Sequence, residues 1–247
     1  MLANNNKMII NKLAKNSVKS NKKQYGILFF TIVLSAFMLF CVFTIGLTYL
    51  DSSRLQNTRL NGAEYDITTM NGFTSKQVKS LQSNKNIQNV GMESYAGFIK
   101  SSEFDNTVEI GLLWCDETFW NNLMSPARTK LDGHYPQNKN ELMVTKDILK
   151  ACGNENLSVG DSIVLTYENN TGVHTDKFVI SGIWDGYGDK SAGFVSKNFY
   201  DETGYDLKND GILCIKLNRN YVLPTTIQSL EKSLNFSDRQ IFAPTDY

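Results

Sequence analysis

Tyr25 to Leu50 reads YGILFFTIVLSAFMLFCVFTIGLTYL, 26 residues without a charge. At about 1.5 Å per residue a helix of that length is roughly 39 Å long, against a hydrocarbon core of about 30 Å. It is long enough to span a bilayer with tilt, or to span it and continue as a stalk. Lys22 and Lys23 flank it on one side and Asp51 on the other, with Tyr25 and Tyr49 at interfacial positions. Two rival readings stay open. A cleaved signal would carry a shorter apolar run and a small-x-small cleavage site, and Gly46 to Leu50 is a poor one. The third reading is a buried helix of a soluble domain.

Working outward, the charge is unevenly spread. The chain has 247 residues with 25 Lys+Arg and 25 Asp+Glu. Its first 50 residues hold six lysines and no acid, so the remainder carries 25 acids against 19 bases, a net of about −6. The lysine excess places the amino terminus in the cytoplasm and the rest of the chain outside. Basic residues concentrated before an apolar run, rather than on the folded part, argue against a nucleic-acid partner. Glycine, proline and cysteine contents exclude collagen, low-complexity disorder and a disulfide scaffold.

Residues 7–24 form an amphipathic pattern. On a helical wheel Ile9, Ile10, Leu13, Ala14 and Val18 occupy one half-circle, and Lys12, Lys15, Lys19, Lys22 and Lys23 lie opposite. Apolar and lysine faces back to back suit the surface of an anionic bilayer, where each lysine contributes on the order of 1 kcal/mol. A disordered positive leader is the alternative. The membrane-surface residues expected here are Ile9, Ile10, Leu13, Val18, Lys12, Lys15 and Lys19. Thr31 and Ser35, four apart in the span, are compatible with close helix approach.

Beyond the span, Ser52 to Leu60 is polar and free of Gly and Pro, so the helix is expected to continue as a stalk. Strands are expected at Ala63–Thr69, Ile87–Lys100, Thr107–Cys115, Glu141–Val144, Ser162–Tyr167, Thr175–Trp184, Gly211–Leu217 and Gln240–Ala243. Thr74-Ser75-Lys76-Gln77 is a capping box opening a helix through Leu81. Asp116 is expected to cap a helix over Glu117–Met124. Thr145 is expected to cap another that ends at Ala151 or Cys152 before Gly153. Asp132 to Pro136 and Asn169 to Gly172 read as turns, and Asp185 to Gly193 as a glycine-rich loop. Helices are further expected near Ser196–Tyr200 and over Thr225–Leu234.

This is an α+β chain: one N-terminal transmembrane helix with a stalk, then a mixed α/β extracytoplasmic domain from residue 61 to 247. A strand-rich insertion at about 131–190 interrupts that domain.

The chemical motifs fail. Gly186-x-Gly188 lacks the third glycine of a dinucleotide loop, and Asp189 interrupts what a phosphate loop needs contiguous. His134 beside Asp132, and His174 beside Asp176, have no nucleophile motif to serve. The two histidines stand alone, without the clustered Cys and His of a zinc site. No catalytic, cofactor or metal residue is assigned, no cofactor is expected, and ligand-binding residues stay open. Asn156, Asn169 and Asn235 begin glycan-type triplets that matter only on a eukaryotic secretory route. Three cysteines lie outside the span, and a Cys115–Cys152 bridge stays open, with Cys214 read as a small buried hydrophobe.

Several stretches in order carry a resemblance: NKLAKNSVKSNKKQYGILFFTIVLSAFMLF, LDSSRLQNTRLNGAEYDI, Gly133-His-Tyr-Pro136, Asn140 to Thr145, Val159 to Leu165 and Phe178 to Ile183. The order resembles FtsX-like permeases of bacterial ABC transporters, with a MacB-like domain between their first and second spans. It is closest to the type linked to antimicrobial-peptide resistance or to peptide and lipoprotein handling. The resemblance implies four spans, and this sequence shows one, so the expectation is the first span and outer domain alone. It further implies a cytoplasmic ABC ATPase as partner, a second permease copy or the remaining spans, the lipid bilayer, and a peptide substrate. A single-pass anchored binding or sensor module that needs no ATPase is the other reading, and an extracellular enzyme a third, disfavoured by the failed motifs.

Overall fold

The structure is a computed structural model that describes residues 6–100, 110–187, 192–218, 224–237 and 239–244. The chain divides into two compact units, Met1–Arg54 and Leu55–Tyr247.

The first unit is helical. Helix α1 covers Asn6–Ser20, a turn follows at Asn21, and helix α2 covers Lys22–Asn61. The expected wheel therefore divides at Asn21: Lys22 and Lys23 open the second helix rather than closing the first. α2 is the one helix among the described residues long and apolar enough to cross a membrane. Its large side chains are open to the surroundings, Phe30 at 73%. The hydroxyls within it are satisfied locally, since Thr31 donates to the Ile27 carbonyl at 2.9 Å and Thr44 to that of Phe40 at 2.8 Å. Thr48 likewise donates to the Thr44 carbonyl, and hydroxyls bonded to their own helix lower the cost of transfer into hydrocarbon. A surface so apolar is covered by lipid, not by water, and the chain is membrane-anchored.

The second unit is a ten-stranded sheet with helices on it. Among the described residues the strands run in the order β10-β1-β9-β2-β3-β8-β5-β7-β4, with β6 paired to both β2 and β7. In chain order they are β1 Ile67–Met70, β2 Ile87–Lys100, β3 Ile110–Cys115, β4 Arg128–Gly133, β5 Glu141–Thr145, β6 Ser162–Asn169, β7 Gly172–Gly186, β8 Gly193–Val195, β9 Ile212–Leu217 and β10 Ile241–Pro244. The helices are α3 Ser75–Gln82, α4 Lys146–Ala151, α5 Lys197–Tyr200 and α6 Pro224–Leu234.

Strand alternation decides which residues each face receives. From β2, β3 and β5, one face takes Ala96, Ile99, Leu112, Trp114, Leu142 and Val144, packed with Ile148 and Leu149 of α4 and Phe199 and Tyr200 of α5. Farther along it, Ile67, Val90, Leu213 and Ile215 are covered by Val78 and Leu81 of α3 and Leu230 and Leu234 of α6. The opposite face carries Cys115, Met143, Phe194 and Cys214 under a turn that supplies Phe119, Trp120 and Leu123.

Local chemistry explains the boundaries. Both halves of the capping box form at α3: the Gln77 amide donates to Thr74 Oγ1, and the Thr74 amide to Gln77 Oε1. Thr145 and Ser196 accept from the amides of Ile148 and Phe199, starting α4 and α5. Asp161 accepts from the Ser158 amide, and Glu141 from the amides of Gln137 and Asn138, so the G-D and N-E elements fix turns.

Four expectations are corrected. The first outer strand starts at Ile67, not Ala63: the Glu64 amide donates outside the sheet, to the Leu123 carbonyl, and the bond from the Asp66 amide to Ile215 of β9 leads into the ladder. Glu117–Met124 holds a π-helical turn, Phe119–Leu123, with the Met124 amide reaching back five residues to Phe119; Asp116 does cap it. Arg128–Gly133 is an edge strand on β7, so Asp132 and Gly133 belong to a strand. Its turn residue is Gly133 at φ +84°, where a Cβ would stand 2.3 Å from the Ser181 carbonyl oxygen. Gly193, read as the last residue of a glycine-rich loop, instead opens a strand, Gly193–Val195, that joins β3 to β5. Thr107–Glu109 and Gly188–Ser191 lie outside the described residues.

Candidate functional site: an aromatic pocket at the end of the stalk helix

The stalk residues from Leu55 belong to the outer unit. Thr58 is buried there, and Arg59 lays its guanidinium 3.8 Å over the Tyr187 ring and donates to the Tyr187 hydroxyl at 3.1 Å. Arg59 Nε is buried with no partner. The helix end is thereby held by packing, a cation–π contact and a hydrogen bond.

Next to Asn61 and Gly62 opens a pocket of about 450 Å³. Its construction follows from β2. Glu93 and Tyr95, two apart, share a face, and strict alternation would put Gly97 third. A bulge between Tyr95 and Gly97 changes the parity, so that Tyr95 stands opposite Leu113 and Phe98 opposite Gly111. Tyr95 and Phe98 stack at 5.2 Å, and Gly111 leaves room beside the Tyr95 ring. Phe194 of β8 pairs in register with Leu113, and Trp184 of β7 packs on Phe194 at 5.6 Å. Trp184 Nε1 donates to the Ala192 carbonyl, which fixes the indole. Tyr65 and Phe119 close the wall.

Among the described residues, Glu93 is the one carboxylate side chain in this aromatic lining. Burial pushes the Tyr65 phenol up, and Cys214 and Glu93 beside it add to the push. Ring faces and one carboxylate around a half-open cavity suit a cation with apolar surroundings, since each ring attracts a cation within about 6 Å of its centre.

Behind the pocket, Tyr135, just after β4, bonds to two strands, β3 and β8. Its hydroxyl accepts from the Cys115 amide at 3.0 Å and lies 3.2 Å from the Cys115 carbonyl and 3.3 Å from that of Val195. Trp120 packs on both Tyr135 and Phe194, and Arg128 stacks 4.0 Å over Trp120.

The residues singled out in sequence fall elsewhere. Ile9, Ile10, Leu13, Val18, Lys12, Lys15 and Lys19 are all exposed on α1. Neither histidine pairs with its neighbouring carboxylate. His134 Nδ1 bonds to the Tyr135 carbonyl and His174 Nε2 to Thr171 Oγ1, while Asp176 accepts from the Tyr167 hydroxyl at 2.6 Å. All four cysteines are free thiols. Cys115 and Cys214 are both buried, and β2 separates their strands, so their Cα atoms are two strand spacings apart, about 10 Å, beyond disulfide reach. Among the described residues no three Cys, His, Asp or Glu gather as a metal site. The pocket residues carried no sequence signal beyond Glu93 standing among the apolar residues of a strand.

No family model matches the chain, and no curated protein does. Among solved structures it is similar to the extracellular domain of the ABC-type transporter YknZ from Gram-positive bacteria, with TM-score 0.47 and 10% identity over 72% of this chain and 98% of that one. It is also similar to the periplasmic region of MacB from Actinobacillus actinomycetemcomitans, with TM-score 0.47 and 11% identity over 75% and 91%. One of those chains is an extracellular domain and the other a periplasmic region.

Proposed function

We propose that this chain is the membrane-anchored N-terminal part of an ABC permease subunit, with α1 and the amino terminus on the cytoplasmic side and the Leu55–Tyr247 unit outside. One observation carries the reading: a single helix, Lys22–Asn61, runs from an uncharged apolar stretch into a stalk whose last turns are tied to the outer unit through Thr58 and Arg59. Such an element is what a protein needs to pass motion from spans to an outer domain.

In this reading α1 lies in the cytoplasmic interface, with Ile9, Ile10, Leu13 and Val18 in lipid and Lys12, Lys15 and Lys19 at anionic headgroups. A cytoplasmic ABC ATPase supplies the motion through spans beyond this one, together with the remaining spans or a second copy. The chain performs no catalysis of its own. The substrate is a cationic amphipathic peptide of the antimicrobial class, with one basic side chain in the aromatic pocket against Glu93 and its apolar neighbours on Tyr95 and Phe98. Isolation of the full chain from its native membrane is expected to bring an ATPase with it; recovery of the chain alone, under conditions that preserve other transporters, contradicts the permease reading. Glu93→Gln is expected to weaken binding of a cationic peptide about tenfold, while an uncharged analogue binds both forms alike.

The pocket also supports a second reading. It is built wholly within the outer unit, so ligand can bind without any partner chain, as a single-pass sensor requires. Peptide binding by the chain with no ATPase recovered selects that reading.

A further inference from the structure

A second cavity in the outer unit has the opposite chemistry. About 460 Å³ in volume, it lies between the β1–α3 turn with the first turns of α3, the turn at Lys208 and Asn209, and the segment joining α6 to β10. The charged side chains lining it are Lys76, Lys208 and Arg239, one from each segment, and no carboxylate lines it among the described residues. This runs against the composition of the chain after the span, where acids outnumber bases 25 to 19. Among the described residues, none of the three cations takes part in the ion pairs Lys100–Glu168, Lys139–Glu202, Lys197–Asp201 and Lys216–Glu64.

Of the acids on the Lys208 turn, Asp210 accepts from the Asp206 amide, and Asp206 is likewise turned to other work. Its carboxylate accepts from the Lys208 and Asn209 amides and from Asn209 Nδ2, and that Asn209 side-chain bond, with the backbone bonds and Lys208 behind it, holds its carboxyl below the usual range. The wall amides likewise use their oxygens internally. Gln77 Oε1 accepts from the Thr74 amide and hydroxyl, and Gln240 Oε1 from the Ser237 amide, while Gln77 and Gln240 bond reciprocally at 3.3 Å. The charged side chains that face the cavity among the described residues are all cations.

The convergence is imposed by the backbone. Gly72 sits at φ +88°, and a Cβ there would lie 1.9 Å from the Lys208 carbonyl oxygen, so only glycine lets the Lys208 turn approach the start of α3. Asn71 Nδ2 donates to the Arg239 carbonyl at 2.8 Å and holds the third segment to the first. Three like charges gathered by fixed backbone contacts repel one another, and an anion in the cavity relieves that repulsion.

We infer that this cavity binds a phosphate ester, with Arg239 as the bidentate partner and Lys76 and Lys208 as point charges around it. The cavity has room for the ester's organic part as well as the phosphoryl group. The phosphate belongs either to a soluble molecule or to a lipid headgroup. The site is independent of the aromatic pocket and of the permease reading.

The test uses the full chain in phosphatidylcholine nanodiscs, titrated calorimetrically with glycerol 3-phosphate. Two triple variants with equal loss of charge are compared. One is Lys76→Gln/Lys208→Gln/Arg239→Gln, and the other, Lys130→Gln/Lys146→Gln/Lys177→Gln, removes exposed lysines away from the cavity. Melting temperatures of both establish that they fold. The first variant is expected to lose at least tenfold in affinity and the second to stay within twofold. Absence of binding to the parent chain, or equal losses in both variants, overturns the proposal. Addition of phosphatidylglycerol vesicles then sorts the source: competition with glycerol 3-phosphate assigns a lipid headgroup, and lack of competition a soluble ester.

Discussion

Two cavities of the outer unit, the aromatic pocket and the basic cavity, are built on opposed principles. The aromatic pocket is made by strands: Glu93, Tyr95 and Phe98 come from one continuous β2, and their partners are fixed by ladder register. The basic cavity is made by connections: a glycine turn, a capping box and the segment between α6 and β10 meet through side-chain amides. The first has rings around a single acid, the second amides around three bases. A change to the strand-built site should therefore act through packing of a whole cluster, and a change to the loop-built site through one local contact.

The largest effect is expected at Trp184. It is 3% exposed and packs on Phe194 while its indole nitrogen holds Ala192. Trp184→Ala is expected to cost about 3–5 kcal/mol in denaturant unfolding, because the cluster under the pocket loses one of its two tryptophans. Binding at the basic cavity should survive wherever the protein remains folded. Loss of both activities in a folded variant would merge the two regions and break the contrast.

Gly72→Ala comes next. The positive φ and the clash with the Lys208 carbonyl are expected to destabilise the chain by about 2–3 kcal/mol and to abolish glycerol 3-phosphate binding, leaving peptide binding intact. A smaller loss, about 1 kcal/mol by thermal melting, is expected for Thr74→Ala, which removes the α3 cap beside the same cavity.

The smallest effect is on pH dependence. At Glu141, burial pushes the carboxyl up, but the Gln137 and Asn138 donors outweigh it and leave it below its usual range; Asp206 is lowered by Asn209 and its neighbours. For both, the unfolded chain takes up the proton first as pH falls, so their contribution is present above the unfolded value and lost as pH falls through the folded value. Asp116 works in the other direction. Burial raises it despite the Met92 and Phe119 amides, so its contribution is present at low pH and lost as pH rises through its folded value. Glu141→Gln is expected to flatten the acid limb of the stability–pH curve slightly, and an unchanged limb would remove that residue from the account.

Legibility in the sequence follows the same division between local and convergent structure. The α3 box at Thr74–Gln77 was readable because four consecutive residues contain the whole interaction. β2 was readable because it is long and bounded by polar turns. β4 was not, since an edge strand with Arg128 half-buried and the rest exposed has no apolar alternation to show. β8 has three residues, too few for any period. The aromatic pocket was hidden by the bulge at Tyr95 to Gly97, which breaks the two-residue rule at the position where Phe98 joins Glu93 and Tyr95. The basic cavity was hidden because Lys76, Lys208 and Arg239 are far apart in sequence and each stands among ordinary surface residues. The span, by contrast, was plain from composition alone.

The measurement that bears most directly on the account is sidedness. Cysteine is introduced at Lys7→Cys or Lys177→Cys, and intact cells are treated with a membrane-impermeant maleimide, with the parent chain giving the background. Lys177→Cys is expected to label in intact cells and Lys7→Cys only after permeabilisation. Labelling of Lys7→Cys from outside, or a mature polypeptide beginning near Asp51, contradicts an inward-anchored chain.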